Sequence, residues 1–259
     1  MSLTTTALFE GPSGHRNLLL PDSSAGDAAV QANQHLIVHG GHGMILDPGG
    51  HKVYAKALGE SLAQLGSGSL KYIFLSHQDP DIVAALNGWL LSTDAVAWAP
   101  ALWLRFIPHF GIDKYVIDRL KPIPDEGMYL SLGGAELMIL PAHFLHSVGN
   151  MHVYDPTSKI LYSGDLGASV GSPDGCGAVT DFDAHVPSMK GFHERYMVSS
   201  KALRGWTAMV RGLDVQCIAP QHGAYFQGPE QVGRFLDWLD TLEVGLDRMA
   251  DCYRVPPRP

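Results

Sequence analysis

The chain has 259 residues, 46% of them hydrophobic and 17% charged, which is enough apolar side chain to bury one large α/β domain or two small ones. A formal net charge of -8 with no basic run or stripe argues against a nucleic-acid partner. No apolar run reaches the roughly 18 residues a membrane-crossing helix needs, no basic stretch followed by an apolar run opens the chain, and Cys176, Cys217 and Cys252 form no Cys-x-x-Cys pair for zinc, an iron-sulfur cluster or rubredoxin-type iron, so the expectation is a soluble cytoplasmic protein in a reducing compartment.

Residues 1–34 mix Gly, Pro, Ser, Asp and Asn with little period beyond Asn17-Leu18-Leu19-Leu20, which predicts loops and a short strand at the domain edge. Residues 35–38 and 44–46 read as two strands joined by Gly40-Gly41-His42-Gly43, a hairpin signal, and Asp47-Pro48-Gly49-Gly50 ends the second. The helical spacing of Ala57, Leu58, Leu62 and Leu65 predicts a helix over 53–65, and the apolar run 71–75 predicts a buried strand opening into a loop. A helical pattern resumes over 82–91, residues 95–99 suit a strand, and 101–119 read as one or two short helices broken near Pro108. This alternation argues for an α/β architecture.

The period then changes. Residues 128–132 and 136–140 flank Gly133-Gly134, and 150–154 and 159–162 flank Asp155-Pro156-Thr157-Ser158, two antiparallel hairpin signals. Residues 168–187 are rich in Gly, Pro, Ser and Asp without period and predict a long lid or entrance loop. Two long helices are expected over 188–212 and 229–249, the second with Pro229 in its first turn and Val232, Phe235, Leu236, Leu239, Leu242 and Leu246 on one face. A strand over 215–219 lies between them. No repeat and no linker is visible, so one domain over 1–259 is expected, with no flavodoxin or rubredoxin domain.

The chemistry concentrates at Ser76-His77-Gln78-Asp79-Pro80-Asp81-Ile82, where the strand over 71–75 opens. On such a loop His77 and Asp79 can converge on one ion while Asp81 reaches a neighbouring one, and Pro80 stiffens the turn between the carboxylates. Packing a histidine and two carboxylates this closely is costly unless something positive binds them. Asp-Pro-Asp alone is also an ordinary turn, but three more candidates follow at strand ends with loop punctuation beside them: His146, Asp165 and His222. Of the other histidines, His35, His39, His42 and His51 read as strand-surface or turn residues and His143 as a neighbour pointing elsewhere. His185, His193 and Tyr196 are candidates for a role in the pocket or in supporting the donors from behind, and His15, His109 and His152 carry no signal.

These residues resemble the metallo-β-lactamase superfamily, and within it the di-iron domain of flavodiiron proteins and their single-domain relatives, the oxygen-binding di-iron proteins. The superfamily motif His-x-His-x-Asp-His, with a later His, an Asp and a final His, is matched in order by His77, Asp81, His146, Asp165 and His222. Asp79 replaces the second His, where flavodiiron proteins carry a carboxylate, and Ile82 replaces the last, where no metal can bind. The resemblance covers nearly the whole chain from His35 onward and implies a four-layer αβ/βα sandwich. It further implies that His77, Asp79 and His146 hold a first ion, Asp81 and His222 a second, that Asp165 bridges them, and that Asp47 supports the site from behind.

Three carboxylates with three imidazoles move the donor set from zinc toward harder ions such as iron or manganese, and two iron ions are the expectation. With Ile82 in place of a histidine the second ion keeps three protein ligands and an open position that Ile82 would line. The implied function is a non-haem di-iron protein that binds dioxygen as a sensor, or reduces dioxygen or nitric oxide with electrons from a separate donor protein, because the chain offers no FMN domain. Relatives with a flavin domain pair head to tail; without one that reason for a homodimer is missing, and the oligomeric state stays open. The alternative is a dinuclear zinc or manganese hydrolase whose bridging water attacks an ester, thioester or lactone.

Overall fold

Strand periodicity sorts the chain into layers. The structure, a computed structural model, describes residues 4–11, 13–24, 30–249 and 253–258. In β3 (His35–His39), β4 (His42–Leu46) and β5 (Ser69–Phe74), Ile37, Met44, Leu46 and Phe74 face one side while Leu36, Val38, Ile45 and Ile73 face the other, the two-residue period of a strand. These strands belong to a seven-stranded sheet with β1 (Thr6–Glu10), β2 (Arg16–Leu19), β6 (Val96–Pro100) and β7 (Leu120–Ile123), in sequence order across the sheet. Strands β1 to β4 pair antiparallel and β4 to β7 parallel.

A second sheet of six strands runs in the order β13 (Phe226–Gln227), β12 (Cys217–Ala219), β11 (Ile160–Tyr162), β10 (Met151–Asp155), β9 (Ala135–Pro141), β8 (Met128–Leu132). Its inner residues, among them Leu137, Val153 and Ile160, interdigitate with Ile37, Met44 and Phe74 of the first sheet in one buried cluster. The outer face of the first sheet is covered by α1 (Tyr54–Leu65), α2 (Pro80–Val83) and α3 (Leu86–Ser92), with Trp89 fully buried. The outer face of the second carries α4 (Phe182–Tyr196), α5 (Ser200–Val210) and α6 (Gly228–Thr241) through Phe182, Leu203, Trp206 and Phe235. The layers are therefore helix, sheet, sheet, helix, as the resemblance implied.

A polar seam also joins the sheets. Asp155, fully buried at the end of β10, accepts from His15 Nε2 at 2.6 Å, Asn17 Nδ2 at 2.8 Å and Ser158 Oγ at 2.7 Å, while Asn17 also donates to the Tyr162 hydroxyl. His15, which carried no signal in the sequence, is thus a structural acceptor and donor between layers, and His35 is buried against the Tyr162 ring and not on the surface. His152 is likewise buried and accepts from Trp206 Nε1.

Several expected elements differ in extent. The helix over 82–91 is two short helices that begin earlier, at Pro80, where a missing N–H costs nothing. Residues 101–119 form three 3-10 turns. The expected lid loop ends at Asp181, whose carboxylate caps α4 by accepting from the N–H groups of Asp183 and Ala184. Pro187 sits inside that helix because the carbonyl it orphans belongs to exposed Asp183, which water can serve. The helix over 188–212 breaks at 197–199, and α6 stops at Thr241. The chain then turns at Gly245, with φ at +49° and a Cβ position only 2.2 Å from the Met197 carbonyl oxygen, so only glycine fits. Leu246 is accordingly exposed and not part of the apolar face, and Leu62 is largely exposed too. Cys252 lies outside the described residues; Cys176 is half-buried and Cys217 buried, both as free thiols. No helix among the described residues is long and apolar enough to cross a membrane.

Removing the acceptor at the centre of the polar seam would strand three buried donors. Asp155→Ala is expected to lower the unfolding free energy by about 3–5 kcal/mol, read from chemical denaturation; a change within about 0.5 kcal/mol would show that the seam does not hold the sheets together.

Candidate metal centre

Strand ends from both sheets meet at one rim of the sandwich. Asp47 follows β4, residues 75–81 follow β5, His146 lies between β9 and β10, Asp165 follows β11 and His222 follows β12. Two of the parallel pairs, β4 with β5 and β11 with β12, end there, so their carboxyl-end loops converge as in other open α/β sheets. The two sheets are tied at this rim by the Met151 N–H donating to the Ser76 carbonyl at 3.0 Å.

Asp165 is the hinge of the geometry. Its Oδ2 lies 3.0 Å from His146 Nε2 and 3.8 Å from His77 Nε2, and its Oδ1 lies 3.4 Å from His222 Nε2. Asp79 Oδ2 is 3.6 Å from His146 Nε2 and 3.7 Å from His77 Nε2, closing a four-residue group whose donor atoms all lie within 4.8 Å of one another. On the other side Asp81 Oδ2 is 3.4 Å from His222 Nε2. Donors bonded about 2.0–2.2 Å from one ion stand roughly 3–4 Å apart, so the spacings suit one ion on each side of Asp165. His77 Nε2 and Asp165 Oδ1 are buried without a hydrogen-bond partner, a costly arrangement unless a cation completes it. The residues fit a two-ion centre.

Each donor is held from behind. Ser76 Oγ is 2.8 Å from His77 Nδ1, and Asp47 braces the loop: its Oδ1 accepts the Ser76 N–H at 2.8 Å. The His222 Nδ1–H donates to the Gln31 carbonyl at 2.5 Å, leaving Nε2 to face the site. Asp79 occupies the N-cap position of α2 without capping it. Instead its Oδ1 accepts from Gln78 Nε2 at 3.1 Å, Gln78 Oε1 from Ser147 Oγ at 2.7 Å, and Ser147 Oγ from Trp103 Nε1 at 3.1 Å. Three donors in line thus turn Oδ2 toward the histidines. Asp79 and Asp81, with side chains 34% and 36% exposed, form the mouth, while His77 and Asp165 form the floor.

The charges are strongly coupled. Burial alone would lower His77, but the carboxylates of Asp165, Asp79 and Asp47 outweigh it and hold it at about 9. His222 is also held at about 9 against burial, by Asp165, the Gln31 carbonyl and Asp81. Burial would raise Asp165, yet His77, His146 and His222 keep it well below the usual carboxylate range. Burial pushes Asp47 up to about 6, partly opposed by His77 and the Ser76 hydrogen bonds.

The other expected participants divide between the core, the loop supports and the rim of the centre. Ile82 is fully buried in the apolar cluster with Leu36, Ile73 and Trp89, so its side chain belongs to the core and not to an open wall of the site. His193 lies inside α4, its Nδ1 bonded to the Met189 carbonyl and its Nε2 accepting the Gly167 N–H at 3.0 Å, which anchors the Asp165 loop; burial lowers it to about 4. His185, within α4, pairs with Ser172 Oγ of the preceding loop at 3.0 Å. Tyr196 does stand beside the centre, edge-on to the His146 ring at 5.7 Å and stacked on Phe192. Gln31, Ser147, Trp103 and Gln221 were not singled out in the sequence; Ser147 and Gln221 adjoin donors, which is the one signal they offered.

Residues 30–223 match the family described as "ODP family beta lactamase". A structure of the peroxy diiron species of the chemotaxis sensor ODP is 39% identical, with a TM-score of 0.84 over 97% of this chain and 100% of that one. The apo state of the chemotaxis sensor ODP from T. denticola is 38% identical, with a TM-score of 0.82 over the same shares. The rubredoxin oxygen:oxidoreductase from Desulfovibrio gigas, at 15% identity and a TM-score of 0.71 over 91% of this chain and 61% of its own, shares the fold. No curated protein matches.

Two outcomes follow from the geometry. Because His77 and His222 carry protons without metal and must lose them to coordinate, loading both ions near pH 7.5 is expected to release about two protons per chain in a weakly buffered indicator titration. Apparent affinity then climbs with pH up to about 9, and a plateau above about 6.5 would contradict the charge assignment. Asp165→Ala is expected to lose both ions and His222→Ala only one, by elemental analysis; retention of two ions in Asp165→Ala would remove the bridging role.

Proposed function

The chain belongs to the ODP family of β-lactamase-like proteins, and from that membership we propose that it is a non-haem di-iron protein that binds dioxygen as a sensor. The observation that carries the proposal is the placement of Asp165, one oxygen facing each donor group, beside a carboxylate at Asp79 where zinc enzymes of the fold carry imidazole. Hard anionic oxygens favour iron over zinc, and they stabilise the higher charge that iron takes on oxidation. When bound, the two irons supply an open coordination position and electrons for dioxygen.

The protein supplies the rest. His77, Asp79 and His146 would hold one iron, Asp81 and His222 the other, with Asp165 between the two donor groups. The floor keeps His77 and Asp165 out of water, which strengthens every charge interaction there, and the partly exposed Asp79 and Asp81 mark the side from which a small ligand would enter. Phe192 and Tyr196 place aromatic surface against His146 and limit water on that side. The full-length likeness to a chemotaxis sensor supports sensing ahead of turnover, since the likeness to the oxidoreductase is one of fold. In a reductase reading, a separate donor protein would supply the electrons for turnover on dioxygen or nitric oxide. A cytoplasmic location belongs to the same reading.

The test is iron-loaded protein, reduced without oxygen and then exposed to it. Uptake of about one dioxygen per chain with a new visible absorption band, and no sustained consumption when reductant is present, is the expected result. Sustained consumption with a donor protein would make it a reductase, and ester or lactone hydrolysis with zinc and no response to oxygen would make it a hydrolase.

A further inference from the structure

The segment over 30–34, expected to be an edge loop, is wrapped around the loop that carries His222. The Gln31 carbonyl accepts the His222 Nδ1–H, and its side-chain Oε1 accepts the Gly223 N–H at 2.8 Å. Gln31 Nε2 donates to Asn33 Oδ1 at 2.8 Å. Asn33 Nδ2 in turn donates to the carbonyls of Pro220 and Gly223, both at 2.9 Å, and its main-chain N–H to the Gln221 carbonyl at 2.5 Å. Asn33 is 3% exposed, so water cannot replace these bonds. Gln221 carries the clamp onward, its N–H donating to the Gly164 carbonyl at 2.7 Å and its Nε2 reaching Asp81 Oδ2 at 3.4 Å.

The clamp therefore touches both residues that serve the second ion alone, and the loop of the bridging Asp165. Among the described residues, no hydrogen bond of Gln31 or Asn33 goes to the loops of His77, Asp79 or His146. The first ion has four protein donors counting Asp165, the second only three, so misdirection of one imidazole weighs more on the second. Groups that orient a ligand in this way typically contribute about 10–100-fold to metal affinity.

We propose that Gln31 and Asn33 are positioning residues for the second ion, fixing the tautomer and direction of His222, and that the second ion in return holds the 30–34 segment against the body of the protein. Such coupling is reciprocal: whatever the segment adds to ion affinity, the ion adds to docking of the segment. The proposal rests on the two-ion reading of the centre and not on iron or dioxygen.

Cobalt(II) titrated into the metal-free full chain tests it, read by visible absorption and by hydrogen exchange. The wild-type chain is expected to take up two equivalents, with amide protection over 30–34 rising on the second. Asn33→Ala should bind the first equivalent as the wild type does and the second about 10–100-fold more weakly. Asn33→Asp, which keeps the shape but turns oxygen toward two carbonyls, should fail to restore it. If Asn33→Ala does not fold, Gln31→Ala decides, because it keeps the main-chain acceptor for His222 and should lose about tenfold on the second equivalent alone. Equal loss of both equivalents, an unchanged second equivalent, or protection of 30–34 that ignores cobalt would each overturn the proposal. A null response of iron-loaded protein to dioxygen would overturn the sensor reading and leave this one standing.

Discussion

A carboxylate buried with imidazoles at both of its oxygens is the constraint around which this protein is arranged. Asp165 is 5% exposed, and taking an ionised carboxylate out of water costs several kcal/mol unless positive charge meets it. Without metal the protein meets the cost with protons, held on His77 and His222 up to about 9. Hydrogen bonds do not finish the task, since Asp165 Oδ1 and His77 Nε2 stay unpartnered. Cations on either side of the carboxylate would take over from those protons, which would make metal loading and proton release two views of one balance.

The sandwich serves that carboxylate by bringing loops from two sheets to one rim and then removing their freedom. Main-chain groups do much of the holding: the Ser76 N–H on Asp47, the Ser76 carbonyl on Met151, the Gly167 N–H on His193, and the Ser169 N–H on the His222 carbonyl. Gly223 is needed at the last of these, because φ is +77° and a Cβ would stand 2.0 Å from Ser169 Oγ. Donors fixed this way lose little entropy when an ion arrives.

The layering and the donors were largely legible in the sequence, and for a definite reason. Strands such as β3, β5 and β9 carry period-two apolar runs bounded by turn residues, and candidate donors at strand ends stand next to loop punctuation, Asp165 and His222 beside glycine and His77 before Asp79-Pro80. What escaped was whatever depends on long-range partners. His15, Asn17 and Asp155 look like turn and edge residues until two sheets close over them. Gln31 and Asn33 sit in an aperiodic stretch, and their role exists only because a loop some 190 residues later folds against them. Pro187 misled in the other direction, marking a loop where an exposed carbonyl lets a helix pass. Ile82 replaces a ligand by sequence position, but its side chain turns into the core with Trp89.

The most direct test of the account is anomalous diffraction at the iron edge from crystals of protein purified with iron and zinc both available. Two iron peaks are expected on opposite sides of the Asp165 carboxylate, one beside His77, Asp79 and His146 and the other beside Asp81 and His222. A single peak, or signal at the zinc edge in both places, would contradict it.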